Sequence, residues 1–422
     1  TAVATCAAGE LAPQSPTGTE APAVDSTSRA VTLGELLDLA LRESPLLRAR
    51  DAERDAARAR VSPAGALPDP EIAWEFQGAP LEDPAPSAAR ENRFNLSQRF
   101  PFPGKRGLAR SVASADADVA RASVEDARLE VATALRRAFY HLHHLYDSIA
   151  ILEESRDALR ALAAIATQRY AVGASAQHDA LKAEVELASE DAQLAALRAE
   201  IPAVEARLNA IVGRDPATPL GPPEPPEAAG APVSADSLAA RALARSPEVR
   251  AAEATVARER SAARLAGKEG LPDLMVGAGY MAMKDDADAW MGMVGMTLPI
   301  WRGGKVAPAR RAGEAALAAA EADRDRIRKD VEASVREACA MLAAARARVA
   351  ALADTVVPRA AQSFESTRFA YENSRADFLE LLDAQRTWLA VRLEYEEAFM
   401  DALYAEADVD RLVGDLPEVS RE

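Results

Sequence analysis

Phe94–Arg110 reads FNLSQRFPFPGKRGLAR, and Met296–Arg311 reads MTLPIWRGGKVAPARR. In each, a strand-like run meets Pro, then an apolar residue, then Gly-Lys, then a long Ala-rich stretch. Pro101-Phe102 answers Pro299-Ile300, and Gly104-Lys105 answers Gly304-Lys305 with two extra residues between them in the second copy. Self-similarity at a spacing of about two hundred residues is the mark of a repeated structural unit. More of it follows: Ala40–Pro45 against Ala242–Pro247, Leu67-Pro68-Asp69 against Leu271-Pro272-Asp273, and Tyr170 with Leu181 and Ala183 against Tyr371 with Leu382 and Ala384. The chain reads as one unit made twice in tandem.

Working outward, residues 1–30 are rich in Pro, Ser, Thr and Ala and read as an extended leader. The first unit spans 31–212. Thr32, with Glu35 three residues on, is a capping box that starts a helix running to about Val61, bent at Ser44-Pro45 and ended by Pro63, Gly65 and Pro68. Two runs of period two follow, at about 69–78 and 92–101. Ile72, Trp74 and Phe76 oppose Glu71, Glu75 and Gln77, and Phe94, Leu96 and Phe100 oppose Asn95, Ser97 and Arg99. From 104 to 170 nothing breaks the helical pattern, which at 1.5 Å per residue predicts a helix on the order of 100 Å long. A turn at Ala171–Ser175 leads to a return helix over 176–211.

Residues 213–233 hold too much Pro and Gly for regular structure and form a linker. The second unit, 234–414, repeats the order: a helix over 234–266, strands over 273–283 and 290–299, a long helix over 305–371 that Pro358 should kink, a turn at Glu372–Arg375, and a return helix over 377–413. Residues 415–422 are a tail. In each unit the first helix and the return helix together match the long one in length. They are therefore expected to stack end to end beside it.

The formal net charge of -16 lacks the basic stripe that displaces counterions from phosphates, and so excludes nucleic acid as a partner. Cationic cargo or plain solubility fits it better. The two cysteines form no disulfide framework. Cys339 sits in a helical run as a small side chain. Cys6 follows Val3-Ala4-Thr5, an order like a bacterial lipobox with Thr in place of the usual small residue, and is either a lipidated residue or an inert one in a leader. No nucleophile–base pair, phosphate-cradling Gly loop or metal-ligand cluster of standard spacing is present, so neither an enzyme nor a resident cofactor is expected.

No window holds the twenty or so apolar residues that a membrane-spanning helix requires. The strands have the length of tilted membrane strands, although a soluble hairpin on a core gives the same alternation. If they do face lipid, four strands are too few to close a barrel. The chain must then pool strands with copies of itself.

The duplication, the strand–Pro–apolar–Gly-Lys junctions, the Tyr170-to-Gly173 turn and the run Phe378–Arg386 (FLELLDAQR) together resemble the TolC family of outer-membrane efflux proteins over about Val31–Gly414. The resemblance implies a mainly α fold with a small β part. It implies a homotrimer whose twelve-stranded transmembrane β-barrel sits in outer-membrane lipid above a periplasmic α-helical barrel. A periplasmic adaptor protein and an inner-membrane efflux pump would be its partners. The FPFPGKR junction is similar to members serving heavy-metal pumps, for copper and silver or for cobalt, zinc and cadmium. On this resemblance Gly173 and Ser374, with Tyr170 and Tyr371, mark the periplasmic tips, and Ser374 departs from the family's Gly. Constriction-lining carboxylates fall on Glu380 and Asp383, with Asp179 as the first-half counterpart of Glu380. Acidic residues at a helix start are also favoured by the helix dipole alone.

Two further groups have chemistry to offer. His141 and His144 share a helix face and offer imidazole ligands, against an ordinary inter-helix role. Met275, Met281 and Met283 share a strand face and offer thioethers suited to soft metals, against adaptable apolar filler. The competing functional readings are a soluble periplasmic coiled-coil adaptor or scaffold, and a channel for drugs or solvents rather than metals.

Overall fold

The computed structural model describes residues 30–172, 176–226, 234–284 and 286–416. Cys6, Gly173 and residues 227–233 of the linker lie outside them. Helix α1 (Leu33–Glu43) starts where the Thr32 hydroxyl accepts the Glu35 amide at 3.1 Å. Ser44 leaves the helical conformation, and Pro45, which has no amide to satisfy, opens α2 (Pro45–Ala64). Pro63 is carried inside the last turn of α2, so Gly65 ends the helix rather than Pro63.

Strands β1 (Glu71–Gln77), β2 (Glu91–Phe100), β3 (Leu274–Met283) and β4 (Ala289–Met296) make one antiparallel sheet in sequence order, with β1 and β4 as open edges. The register puts Ile72 opposite Leu96, Trp74 opposite Phe94, Phe94 opposite Tyr280, and Tyr280 opposite Trp290. One face of the sheet is thus apolar from edge to edge and open, with Ile72 at 80% and Trp290 at 82% exposure. The other face carries Glu71, Glu75, Asn95 and Ser97 along with the methionines of β3.

The long helix α3 (Lys105–Ala171) has 67 residues. It packs on α2 near the sheet and on the return helix α4 (Gln177–Val212) farther away, with α1 touching both α3 and α4. That is the expected end-to-end stacking. The linker is less irregular than its composition predicts: Val31 and Pro223 form a parallel bridge, with Val31 N–H donating to Pro222 O at 3.0 Å.

In the second unit α5 (Ala235–Arg245) and α6 (Pro247–Lys268) precede the hairpin, and α7 (Ala307–Ala351), α8 (Val357–Glu372) and α9 (Phe378–Val413) follow it. Between α7 and α8 the turn Leu352–Val356 is a wide π-turn, so Pro358 does not break the rod. It has a second cause in sequence length. Val131 and Val331, Leu135 and Val335, and Leu152 and Leu352 are buried pairs 200 apart, whereas Leu159 and Ala360 are 201 apart. A π-turn holds one extra residue without rotating the helix beyond it.

Buried residues gather into a middle core of α1, α3 and α4, a core near the tips around Leu159, Phe364 and Leu381, and one between α5, α7 and α9. In the middle core Arg136 is buried and reaches Asp410 of α9 at 2.6 Å.

Candidate functional site

At the tip of the second unit, Asn373–Asp377 turns α8 into α9. Ser374 takes φ +56°, the left-handed conformation that glycine adopts without cost. Its hydroxyl repays part of that strain by accepting a hydrogen bond from Arg169 Nη2 at 2.9 Å. The same guanidinium lies 4.6 Å above the Tyr371 ring, and Tyr371 meets Phe378 edge-on at 6.0 Å. Tyr170 and Tyr371 match in sequence but not in place: Tyr371 is buried in the tip core and Tyr170 is exposed.

The three carboxylates assigned to a constriction are arranged unequally. Glu380 belongs to a capping box: its amide donates to Asp377 Oδ1 at 2.8 Å, and its Oε2 accepts the Asp377 amide at 3.3 Å. Asp383, one turn farther on, is exposed and lines a groove of about 490 Å³ between α4 and α9 with His178, Lys182, Leu379 and Arg386. Asp179 stands next to His178, 3.2 Å from its Nε2. Asp383 and His178 therefore share the groove, while Glu380 is turned back into its own helix.

Above the groove is a polar cluster that the sequence reading missed. Ser155 of α3 donates to Glu190 Oε1 of α4 at 2.9 Å, and Gln385 Nε2 of α9 donates to Ser155 at 2.6 Å and to Glu190 at 3.2 Å. All three are fully buried, and Glu190 Oε2 and Gln385 Oε1 have no partner among the described residues. Burial pushes the Glu190 carboxyl above its ordinary range, outweighing the hydrogen bonds from Gln385 and Ser155. A signal was present: Ala180, Ala183, Glu190 and Leu194 follow the three-and-four spacing of an inward helix face, with a Glu where an apolar residue belongs.

His141 and His144 do not converge on a third ligand. His141 Nε2 pairs with Glu200 at 3.2 Å, and His143 Nδ1 with Asp147 at 2.9 Å. His144 is largely covered, and burial pushes its imidazole below its ordinary range. Among the described residues no three His, Cys, Asp or Glu side chains come together as a metal site. Met275, Met281 and Met283 share the less exposed face of the sheet with Gly277 and Gly279. Thioether methyls from β4 lie across those glycines: Met293 Cε is 3.1 Å from where a Gly277 Cβ would stand, and Met291 Cε 3.4 Å from the Gly279 position.

The strand feet differ between the units. Gly104 (φ +89°) opens α3, and a Cβ there would stand 2.5 Å from Lys268 Nζ. Lys105 is buried, and its Nζ donates to Asp273 Oδ1 at 2.9 Å and to Leu271 O at 3.1 Å. Asp273 Oδ1 also accepts the Phe102 amide at 2.9 Å. The second junction does not repeat this. Pro299 is followed by the π-turn Arg302–Val306, which contains Gly304 and Lys305, so the helix opens at Ala307 rather than at 305. Gly304 has open space around it, and Lys305 is exposed.

A sheet with an apolar band running from edge to edge on one open face, joined to helices that reach far from it, makes a strand hairpin on a helical rod, built twice. The outer membrane efflux protein family matches the chain over residues 36–214 and 238–415, one match per unit, and the chain belongs to that family. It is 25% identical over 416 residues to the cobalt-zinc-cadmium resistance protein CzcC of Cupriavidus metallidurans, covering 95% of this chain and 94% of that protein. The fold is that of CusC (TM-score 0.80, 16% identity, 96% of this chain and 99% of that one). It is also that of the outer membrane channel MtrE of Neisseria gonorrhoeae (TM-score 0.77, 15% identity, 97% and 99%). Membership in an efflux family, matched by both units, decides against the adaptor and scaffold alternative.

Proposed function

We propose that this protein is the outer-membrane conduit of a tripartite efflux system. In this reading three copies pool their strands into a twelve-stranded barrel, and their helices form a tunnel that meets a periplasmic adaptor and an inner-membrane pump. The observation that carries the reading is the four-stranded sheet with a continuous apolar face and two unpaired edges. Lipid tolerates such a sheet only when it closes on further strands. The conduit is passive, and the pump supplies the energy.

For cargo, we propose divalent heavy-metal cations. The likeness to CzcC over nearly the whole chain supports this, as does the acidic balance of -16. Asp383 is the carboxylate best disposed to line a constriction, because it is exposed and free of the capping box that holds Glu380. Three copies of it would form an acidic ring selective for cations. Glu380 and Asp179 add charge around that ring.

The test has two parts. Light scattering of detergent-purified protein should give a trimer mass, and planar-bilayer recordings should show cation-selective conductance that Asp383→Asn reduces more than Glu380→Gln. In cells carrying the matched pump and adaptor, deletion should sensitise growth to cobalt, zinc and cadmium. Sensitisation to organic solvents or dyes alone would assign the conduit to another cargo.

A further inference from the structure

The two hairpins keep one register. From Asp69 to Asp273 is a step of 204 and from Pro101 to Pro299 a step of 198. Applied to the pair Glu71↔Ser97 these steps give Met275↔Gly295, which is the observed pair. The repeat is therefore faithful strand by strand, and the seam between the units, β2 on β3, is a template for any seam that β4 makes with another β1.

The helices carry the same order. α3 lies between α2 and α6, and α6 lies between α3 and α7, so α2 and α7 are the outer members, just as β1 and β4 are. At the inner seam, Lys105 and Asp273 are joined and largely covered. Their counterparts, Lys305 and Asp69, stand on the two outer margins, both exposed and with no side-chain partner among the described residues. The backbone shows the same vacancy: Phe102 N–H donates to Asp273, whereas its counterpart Ile300 N–H turns back onto Leu298 O at 2.9 Å.

We propose that Lys305 of one protomer and Asp69 of the next form an ionic clamp at a β4–β1 seam between copies of this chain, in the register Gly295↔Ala73. This rests on the trimeric reading above and specifies its contact. The register follows from the observed pair Ser97↔Gly277 by the same two steps, and it places Val294 against Trp74 on the apolar face. The seam is not a perfect copy of the inner one. Lys268, which donates to Pro103 O at 3.1 Å, has Ala64 as its counterpart, so the clamp between protomers works without a second lysine.

Charge exchange and cross-linking test it together. Asp69→Lys or Lys305→Asp alone should cut the heat-resistant trimer fraction about tenfold, and the double exchange should restore it, as expected of a paired interfacial charge. Asp273→Lys alone breaks the pair with Lys105 inside the chain, serves as the control, and should impair insertion rather than association. With Cys6→Ser and Cys339→Ser as background, Gly295→Cys with Ala73→Cys should give covalent trimers on mild oxidation, and Gly295→Cys with Gln77→Cys, four residues along on the same face, should not. A trimer that cross-links only in the shifted pair, or in which the double exchange gives no recovery, overturns the clamp and leaves the conduit standing. A monomer in detergent overturns both.

Discussion

The first long helix and the second are the same sequence element in unlike surroundings. α3 has neighbours on both flanks and buries a line of residues from Ala115 to Ala166. α7 has α5, α6 and α9 against it, and its buried residues are Val331 and Val335. The contrast shows that duplication preserved the pattern of inward positions while only one copy has its full set of partners within the chain. In the trimeric reading, the bare flank of α7 is covered by α2 of a neighbour.

Core truncations should separate the two helices most strongly. Leu142→Ala on α3 should cost about 2–5 kcal/mol, whereas Leu342→Ala, its half-covered counterpart on α7, should cost less than half as much in protein held as a monomer. Denaturant titration of both variants measures the difference. Equal losses would mean that the bare flank of α7 is no consequence of missing partners.

The next effect is about 1–3 kcal/mol and depends on pH. Because burial raises the Glu190 carboxyl above its unfolded value, the native state holds that proton longer than the unfolded chain does. The contribution of Glu190 to stability should be full below the ordinary Glu range and be lost as pH rises through the raised value. Glu190→Gln should flatten that slope in thermal scans between pH 4 and 8, with the largest gain at the alkaline end. An unchanged slope would assign the pH dependence to other groups.

The smallest effect compares the two tips. Ser374→Gly removes a left-handed strain worth about 1 kcal/mol and loses an exposed hydrogen bond from Arg169, so the melting temperature should rise by no more than a few degrees. A fall would show that the Arg169 contact outweighs the backbone cost.

Much of the architecture was legible because it rests on periodicity and punctuation. Alternation at Ile72, Trp74 and Phe76 located a strand and its apolar face, and the Ser44-Pro45 break located a helix boundary. What escaped depended on three dimensions. Lys105 and Lys305 are identical in sequence, yet one is clamped by a residue 168 positions away and the other is not. Glu380 carries an N-terminal capping signal as clearly as it fits a family constriction position, and no spacing rule separates those roles. Glu190 was readable only after α4 was laid against α3 and α9. At Pro358 the rule for helix interiors predicts a kink, and the observed π-turn follows from a second fact, the one-residue difference in length between the two copies.

That wide turn bears on how such a molecule can change. Adding a residue to a rod this long would ordinarily swing everything beyond it by about a third of a revolution, because each residue of an α-helix advances roughly 100°. At Leu352–Val356 the surplus is swallowed on the spot, so the far end keeps its aim. The one residue by which the second copy exceeds the first is thereby uncoupled from the direction in which the far end points.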